Sequence, residues 1–351
     1  MPQPNLPTIS DLTRERLEIL AQHVQKTSKG RWLVLTHDNP DPDSLAAASL
    51  LGRLLHGRFK QQVTLGYGGI VGRAENREMV RSLGMKLSHI RHLNFKQYKH
   101  FALVDTQPRT GNNSLPEDIV PDLVVDHHPQ RRATGQVPVA DIRVDYGATA
   151  TIVAEYLLAS DLQPTHKGAT ALVYAIRSET QDFSRESAGP DKAMYDYVLG
   201  IANKRLLGKI QNAPLPPSYF GNLHQALENL RSVDTLVISH LGKVQQPDIV
   251  PEVADFLLRM EDKTWSLCSG IYEDRMYLSI RTTNPRANAG EIMKKLVRRR
   301  GKGGGHSMIA GGWVQLNQDA TAQQKTLAER LAKALRKKPE KIAPIQLPNG
   351  D

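Results

Sequence analysis

Cysteine, long apolar runs and internal repeats are what this 351-residue chain has least of. Its single cysteine, Cys268, excludes an intrachain disulfide and suits a reducing compartment. The longest apolar stretch, Leu45 to Leu55, is interrupted by Gly52 and Arg53, and it is shorter than the roughly 20 residues that a membrane helix needs. The first residues, Met1 to Thr8, lack the basic and apolar segments of a secretion signal. We therefore predict a soluble, cytoplasmic protein without a membrane span.

Acidic residues are the minority among the charged ones. Lys and Arg number 46 against 36 Asp and Glu, which gives a formal net charge of +10. This excess suits a polyanionic partner, although a merely solubilising surface would show it as well. Much of it lies in two segments, Lys294–Lys302 and Arg330–Lys341. The second segment fits the polar side of an amphipathic helix, whereas the first adjoins a glycine-rich stretch and is the more interesting cluster.

Strand-like and helix-like segments alternate in the first half of the chain. This alternation indicates an α/β fold with an open, mostly parallel sheet flanked by helices. The predicted strands are residues 31–36, 63–67, 101–105 and 123–125, and the predicted helices are 10–25, 44–56, 148–158 and 168–177.

The second half predicts a smaller, mixed α/β domain of different construction. A proline-rich stretch at 213–217 indicates a linker before it. Further strands are predicted at 233–239, 264–272 and 275–281, with helices at 252–260 and 291–299. The predicted regions are an N-terminal helix (1–27), a larger domain (28–187), a linker (188–231) and a C-terminal domain (232–345).

Carboxylates and histidines follow three of the predicted first-domain strands. The first strand is followed by His37, Asp41 and Asp43, the next by Asp105, and the next by Asp126, His127 and His128. Ligands of open parallel sheets bind beyond the carboxyl ends of the strands, so these side chains should converge. Carboxylates held so closely repel one another unless cations neutralise them. The segments together therefore predict a metal site.

The mixture of imidazole and carboxylate ligands suits Mn, Co or Zn better than Ca, whereas an all-oxygen set would suggest Mg or Ca. Mn is the preferred cation, and Mg or Co are kept as alternatives. Each element also has an ordinary explanation taken alone. Asp41 could be a turn residue, Asp43 a helix N-cap and Asp105 a residue of a turn. The two histidines could be a buried pair bonded to backbone. Asp182 could be an ordinary residue of the turn after a helix.

Glycines dominate the segment after the first basic cluster. Gly303, Gly304 and Gly305 precede His306, and glycine lets a backbone approach a ligand closely. His306 and Arg281 could supply hydrogen bonds and charge to a phosphate. With the basic residues just upstream, the pattern favours a phosphate-binding role over a flexible loop.

These motifs resemble the DHH phosphoesterase family. Residues 36–43 resemble its first motif, Asp105 its second and Asp126–His128 the third, while Asp182 looks like the fourth. Gly303–His306 resembles the glycine-rich motif of the associated C-terminal domain. The resemblance implies a two-cation centre in a cleft between the two domains. It assigns His37, Asp41 and Asp105 to one cation, and Asp43, Asp105, His127 and Asp182 to the other.

The resemblance also implies roles for the remaining motif residues. Asp126 would orient a metal-ligand histidine and His128 would face the substrate phosphate, while Arg281 and His306, with Gly303, Gly304 and Gly305, would bind the substrate beyond it. The short members of the family resemble this chain most, which implies hydrolysis of nucleotides or short oligonucleotides, as a short-oligonucleotide exonuclease or a 3'-phosphoadenosine 5'-phosphate phosphatase. A cyclic or linear dinucleotide phosphodiesterase and a non-enzymatic nucleic-acid-binding module stay open as alternatives. A homodimer is also left open.

Overall fold

The structure is a computed structural model that describes residues 6–184, 187 and 189–347. The chain divides into two compact units, Met1–Ala213 and Pro214–Asp351. The division falls within the segment that the sequence predicts as a linker. Among the described residues, no helix combines the length and the apolar character needed to cross a membrane.

The first unit is built on a six-stranded parallel sheet in the order β3-β2-β1-β4-β5-β6. The first strand thus lies in the middle of the sheet. The order in which strands are added to the sheet reverses between β1 and β4, although the two strands are parallel. The strands are β1 (Arg31–Leu35), β2 (Gln62–Tyr67), β3 (Leu87–His89), β4 (His100–Val104), β5 (Leu123–Asp126) and β6 (Val139–Ile142). The helices of this unit are α1 (Asp11–Lys26), α2 (Pro42–Gly57), α3 (Ala74–Leu83), α4 (Thr149–Leu158), α5 (His166–Thr180), α6 (Gly189–Leu199) and α7 (Lys204–Gln211).

The central strands and helices of the first unit are buried because most of their residues are apolar. Four of the five residues of β1 are buried, as is every residue of β4 and of α4. Strands covered on both faces read as continuous apolar runs, which is why the sequence located them. The predictions of a mostly parallel sheet and of its flanking helices are confirmed.

The start of α2 differs from its prediction. The helix begins at Pro42 rather than Ser44, and Asp41 rather than Asp43 is its N-cap. The Asp41 carboxylate accepts a hydrogen bond from the Ser44 amide, and the Ser44 hydroxyl bonds back to the Asp41 amide. This reciprocal arrangement, together with proline at the first helical position, stabilises an earlier start than apolar periodicity alone indicates.

The second unit contains a seven-stranded mixed sheet in the order β11-β12-β10-β9-β8-β7-β13. All neighbouring pairs are antiparallel except β8 and β9, which run parallel. The strands are β7 (Arg231–Val233), β8 (Leu236–Lys243), β9 (Trp265–Tyr272), β10 (Arg275–Thr282), β11 (Gly301–His306), β12 (Ile309–Gln315) and β13 (Ala343–Pro344). The helices are α8 (Pro217–Glu228), α9 (Ile249–Leu257), α10 (Ala289–Val297) and α11 (Ala320–Ala334).

Two separate apolar cores hold this sheet. The face carrying Leu278 and Ile280 packs against α10 and α11, and the face carrying Cys268 packs against α8 and α9. The strands β9 and β10 form a hairpin, because Tyr272 pairs with Arg275 across the turn between them. The region predicted as a linker contains α6, α7 and α8.

The glycine-rich segment is a strand rather than the flexible loop that was its alternative explanation. In β11, Gly303 pairs with Gly312 and Gly304 pairs with Gly311. A Cβ at Gly303 would lie 2.8 Å from Met293 Cγ in α10, so the absence of side chains lets this helix pack onto the edge strand. Gly305 has a φ of +146°, which other residues rarely adopt. Close packing and this backbone conformation account for a glycine-rich strand.

These glycines give a matched pair of stability predictions. We expect Gly303→Ala to lower the free energy of unfolding by about 1–3 kcal/mol, because its Cβ would collide with Met293 and Val297 in a packed core. Gly304→Ala should change it by less than about 0.5 kcal/mol, because a Cβ there meets nothing within 4 Å. Urea unfolding of the full chain measures both. Equal losses in the two variants would contradict this account of the strand.

Candidate metal centre

The candidate ligands lie at the ends of the strands on either side of the point where the strand order reverses. His37 and Asp41 follow β1, Asp105 follows β4, and Asp126 and His127 lie at and beyond the end of β5. The strands β1, β4 and β5 are consecutive neighbours in the sheet. Segments that are distant in sequence therefore meet at the carboxyl edge, at the position where open α/β sheets bind ligands.

Asp105 is at the centre of this group. Its backbone has a φ of +60°, an uncommon value for a residue other than glycine. Its side chain is 3% exposed, and one carboxylate oxygen lies 3.6 Å from His37 Nε2 while the other lies 3.6 Å from His127 Nε2. Among the residues that the structure describes, two sets of candidate ligand atoms lie within 4.8 Å of one another, and both contain Asp105: His37, Asp41 and Asp105, and Asp105, His127 and His128.

Both metal-facing histidines are held by backbone carbonyls. His37 Nδ1 lies 2.9 Å from the Asp38 carbonyl, and His127 Nδ1 lies 3.1 Å from the Tyr146 carbonyl. A carbonyl only accepts, so each Nδ1 carries a proton and each Nε2 is the nitrogen left to bind a cation at the centre. His127 Nε2 is buried and has no hydrogen-bond partner within the described ranges. An orphaned imidazole nitrogen of this kind fits a metal ligand.

The charges in the centre are unbalanced without a cation. Burial raises the pKa of Asp105 well above its usual value, and the Asp41 carboxylate raises it further. Burial likewise raises the pKa of Asp43, with a contribution from Asp105. Burial alone would lower the pKa of His37, but Asp41 and Asp105 raise it to about 10. Divalent cations would relieve this repulsion, so the residues present fit the metal centre that the sequence predicts.

Asp43 is fixed by the beginning of α4. Its two carboxylate oxygens accept hydrogen bonds from the Thr149 amide at 2.7 Å and the Ala150 amide at 2.8 Å. The N-terminal amides of a helix favour a negative charge in this position. Each oxygen keeps a further lone pair, so a bonded carboxylate can still bind a cation. Asp43 belongs to neither set of ligand atoms, but the charges of Asp105 and His127 act on its carboxylate.

The segment Tyr146–Thr151 contacts three candidate ligands at once. Besides the contacts to His127 and Asp43, the Thr149 hydroxyl donates to Asp105 at 3.0 Å. The segment is in turn held by Asp191 of α6, whose carboxylate accepts from the Gly147 amide at 2.7 Å and the Thr151 hydroxyl at 2.6 Å. This role was not predicted from the sequence, although a Gly-Ala-Thr run at the start of a largely apolar helix is visible there.

We expect Thr149→Val to weaken metal affinity by roughly ten- to a hundredfold, because it removes an outer hydrogen bond from a ligand while conserving shape. Thr151→Val is the matched control, since its hydroxyl is equally buried but donates to Asp191. The control should lose comparable stability with a smaller effect on metal. Metal titration and thermal unfolding of both variants distinguish the two losses; identical metal affinities would contradict the role of Thr149.

Asp126 orients His128 rather than His127. The Asp126 carboxylate lies 2.8 Å from His128 Nδ1, and it also accepts from Gln107 Nε2 at 2.7 Å. Burial opposes its ionisation, but these hydrogen bonds hold the pKa of Asp126 below its usual value. Gln107 Oε1 accepts in turn from the Arg131 amide and the Thr134 hydroxyl, both at 2.7 Å. Gln107 is a second supporting residue that was not predicted from the sequence.

The fourth candidate motif is placed differently from its prediction. The Asp182 side chain is 68% exposed, lies 2.5 Å from Arg177 Nε, and belongs to neither set of ligand atoms. Glu179, one turn earlier on α5, acts on the centre instead. Burial is the largest influence on the pKa of Asp43, Asp105 and His127, and the Glu179 carboxylate acts to raise each of them.

A sequence signal for Glu179 existed. It lies three and four residues after the buried Ile176 and Ala175, so it continues the apolar face of α5. A carboxylate on such a face is uncommon and indicates a specific partner. Asp182 attracted the prediction because it precedes Phe183, but it lies beyond the end of the helix.

The predicted substrate-binding residues lie in the second unit. Arg281 is buried in β10, where its guanidinium donates to Asp255 at 2.7 Å and to the Ser279 hydroxyl at 2.7 Å. The prediction for His306 concerns a side chain outside the described part of the structure, although its backbone belongs to β11. Burial raises the pKa of the Cys268 thiol far above its usual value, so this residue is no nucleophile.

Two family models match the chain. Residues 31–176 match the DHH family, N-terminal domain, and residues 234–336 match the DHHA1 domain. The matched ranges contain every predicted motif except Asp182. An uncharacterized protein of Methanocaldococcus jannaschii is 32% identical over 320 residues, which are 90% of this chain. The chain spans 65% of the length of that relative.

Solved structures of other proteins share the fold. An exopolyphosphatase-related protein from Bacteroides fragilis aligns with a TM-score of 0.73 at 14% identity, covering 91% of this chain and 96% of its own. RecJ in complex with Mn²⁺ from Thermus thermophilus aligns with a TM-score of 0.53 at 13% identity, covering 95% of this chain and 56% of its own.

Proposed function

The chain belongs to the DHH family, and we propose that it is a metal-dependent phosphoesterase that hydrolyses phosphate esters of nucleotides or short oligonucleotides. The observation that carries this proposal is the shared position of Asp105 between two sets of candidate ligand atoms. A carboxylate whose two oxygens each face a different histidine could serve two cations at once.

We assign His37, Asp41 and Asp105 to one cation. The other would be held by Asp43, Asp105 and His127, with Glu179 in the place that the sequence gave to Asp182. When bound, such a pair lowers the pKa of water and neutralises charge on a phosphoryl group. The protein's own contribution is to hold the ligands in place through the α4 segment and the two backbone carbonyls.

His128 is the residue proposed to contact the substrate. Its side chain is 41% exposed, in contrast to the buried His127, and its Nδ1 is held by Asp126. With Nδ1 engaged, Nε2 is the atom that would donate a hydrogen bond to a phosphate oxygen or to the leaving oxygen. Asp126 holds the imidazole in this orientation, and Gln107 keeps Asp126 in place.

The ligand chemistry favours Mn²⁺ as the cation, with Mg²⁺ or Co²⁺ as alternatives. The proposed set mixes two imidazoles with carboxylates, which suits Mn better than an all-oxygen set would. The structural neighbour RecJ was determined with Mn²⁺, which supports the same choice. Nucleotide substrates are supported by the net charge of +10, since a basic protein attracts polyanions.

A substrate panel tests this proposal. Metal-stripped protein reconstituted with Mn²⁺ would be assayed on a chromogenic phosphodiester, dinucleotides, longer oligomers, cyclic dinucleotides, 3'-phosphoadenosine 5'-phosphate and pyrophosphate. We expect Mn-dependent hydrolysis of short oligonucleotides or of the mononucleotide substrate. Hydrolysis of cyclic dinucleotides alone would instead indicate the dinucleotide phosphodiesterase. Binding of nucleic acid without any hydrolysis would support a binding module and overturn the proposal.

A further inference from the structure

One face of the second unit's sheet is covered over only part of its width. Residues paired across neighbouring strands lie on the same face of a sheet. By this register Gly304, Gly311 and Ser279 form one row, and Lys302, Trp313 and Tyr277 form the next. The α10 and α11 helices pack on the opposite face, against Leu278 and Ile280.

The glycine row leaves the edge of this face open. A Cβ at Gly304 would meet nothing within 4 Å, and one at Gly311 would meet only the Leu278 carbonyl oxygen, at 4.0 Å. The backbone of β11 and β12 is therefore accessible beside the row that contains Trp313. A planar group can approach the sheet closely at such a position.

Trp313 is the half-buried aromatic residue at this edge. The Arg275 guanidinium lies 4.2 Å from the centre of its ring, on the β10 side, and Lys302 is its neighbour on the edge strand β11. The ring also lines an open depression of about 780 Å³ with Arg299, Arg300 and Lys302. Within the described residues, the lining of this depression includes three cations and no carboxylate.

We propose that Trp313 and Lys302 form a subsite for one nucleotide of a single-stranded oligonucleotide, with the base stacked on the indole and the phosphate bound by Lys302. Single-stranded nucleic acids bind to aromatic rings that lie beside cations. This binding shows no sequence preference, because every base has a π face. Arg275 holds the ring from one side, which orders it before a base arrives. Arg299 and Arg300 continue the positive charge along the strand's backbone.

The spacing of the sheet fits a chain of nucleotides. Successive rows on one face are two residues apart, which is roughly 6.5–7 Å along a strand. This distance is close to the separation of neighbouring phosphates in an extended single strand. A nucleotide beside the glycine row would thus have its neighbour at Trp313. The subsite rests on the proposed function for its part in hydrolysis, since it would favour oligonucleotides over mononucleotides.

Binding can be measured without hydrolysis. The probe is a fluorescein-labelled single-stranded pentanucleotide, added to full-length protein in EDTA. We expect Trp313→Ala to bind it roughly ten- to a hundredfold more weakly, as for loss of one stacked base, and Trp313→Phe to retain most of the affinity. Lys302→Gln should reduce the dependence of log affinity on log salt by about 0.7, the contribution of one phosphate contact. Lys333→Gln, an exposed change on α11, should alter neither quantity.

Tryptophan fluorescence gives a second readout. Trp32 and Trp265 are 1% and 8% exposed, so quenching by an unlabelled pentanucleotide should come from Trp313 and disappear in Trp313→Phe. Quenching that persists in Trp313→Phe, affinities that are equal in all variants, or an absence of pentanucleotide binding would each overturn the subsite. Pentanucleotide binding through Trp313 without hydrolysis of any substrate would refute the proposed function instead, whereas hydrolysis with unchanged binding in Trp313→Ala would refute only the subsite.

Discussion

Replacing Asp105 by Asn is expected to remove both cations and to lower kcat/KM by about a thousandfold or more. The change conserves shape but removes the one carboxylate that faces both His37 and His127. Charge stabilisation by a metal pair contributes several kcal/mol to the transition state, and each 1.4 kcal/mol corresponds to a factor of ten in rate. Metal content and kinetics measured on the same preparation check the prediction. The variant should stay folded, because the removed charge was itself unfavourable in its buried position.

Asp38→Asn is the matched control for this experiment. Asp38 lies only three residues before Asp41, but its carboxylate accepts from the Ser114 hydroxyl at 2.8 Å and belongs to neither set of ligand atoms. Turnover and metal content should therefore stay close to those of the unmodified protein. Near-normal turnover in Asp105→Asn, or equal losses in the two variants, would mean that the ligand set is wrongly placed.

Glu179→Gln and Asp182→Asn form the second comparison. We expect Glu179→Gln to weaken metal binding and lower kcat/KM by about a hundredfold or more, because it removes a charge that acts on Asp43, Asp105 and His127. Asp182→Asn should lose less than about 1 kcal/mol of stability and little activity, because its pair with Arg177 is largely exposed.

Cation titrations and steady-state kinetics on both variants decide between the two carboxylates. A large loss in Asp182→Asn with normal behaviour of Glu179→Gln would restore the assignment made from the sequence. Substituting Asp for Glu179 adds a further control, since it keeps the negative charge and shortens the side chain. We expect Glu179→Asp to retain more metal than Glu179→Gln.

The sequence predicted the parts of the fold whose local pattern matches their environment. The strands β1, β4 and β5 are continuous apolar runs because both faces of the parallel sheet are covered, and each ends in its candidate ligands. The three-residue strand β3 was not located, because so short a segment carries little periodicity. The strand order was also beyond the local pattern, since pairing of β1 with β4 depends on contacts between distant segments.

The glycine-rich strand β11 shows a second reason why secondary structure could not be predicted from the sequence. Glycine is rare in strands, so a run of three indicates a loop on propensity alone. The packing of α10 against this strand requires residues without side chains, and that requirement arises only in the folded unit. Tertiary packing therefore overrides local preference here, while His306 remains a prediction from the motif.

In the candidate site, the ligands could be predicted from the sequence but the residues that support them could not. His37, Asp41, Asp105 and His127 were identified because ligand residues directly follow strands, and strand ends converge in this fold. Gln107, Thr149 and Asp191 were missed, because a residue that supports a ligand from behind is ordinary in sequence. Only the hydrogen bonds of the folded chain show what these residues hold.

Anomalous diffraction from crystals soaked in Mn²⁺ tests the central claim most directly. Two peaks are expected beside Asp105, separated by roughly 3.5–4 Å, one next to His37 and Asp41 and the other next to His127. The occupancy of both should fall in Asp105→Asn. A single peak, or peaks away from Asp105, would contradict the two-cation centre and the phosphoesterase mechanism built on it.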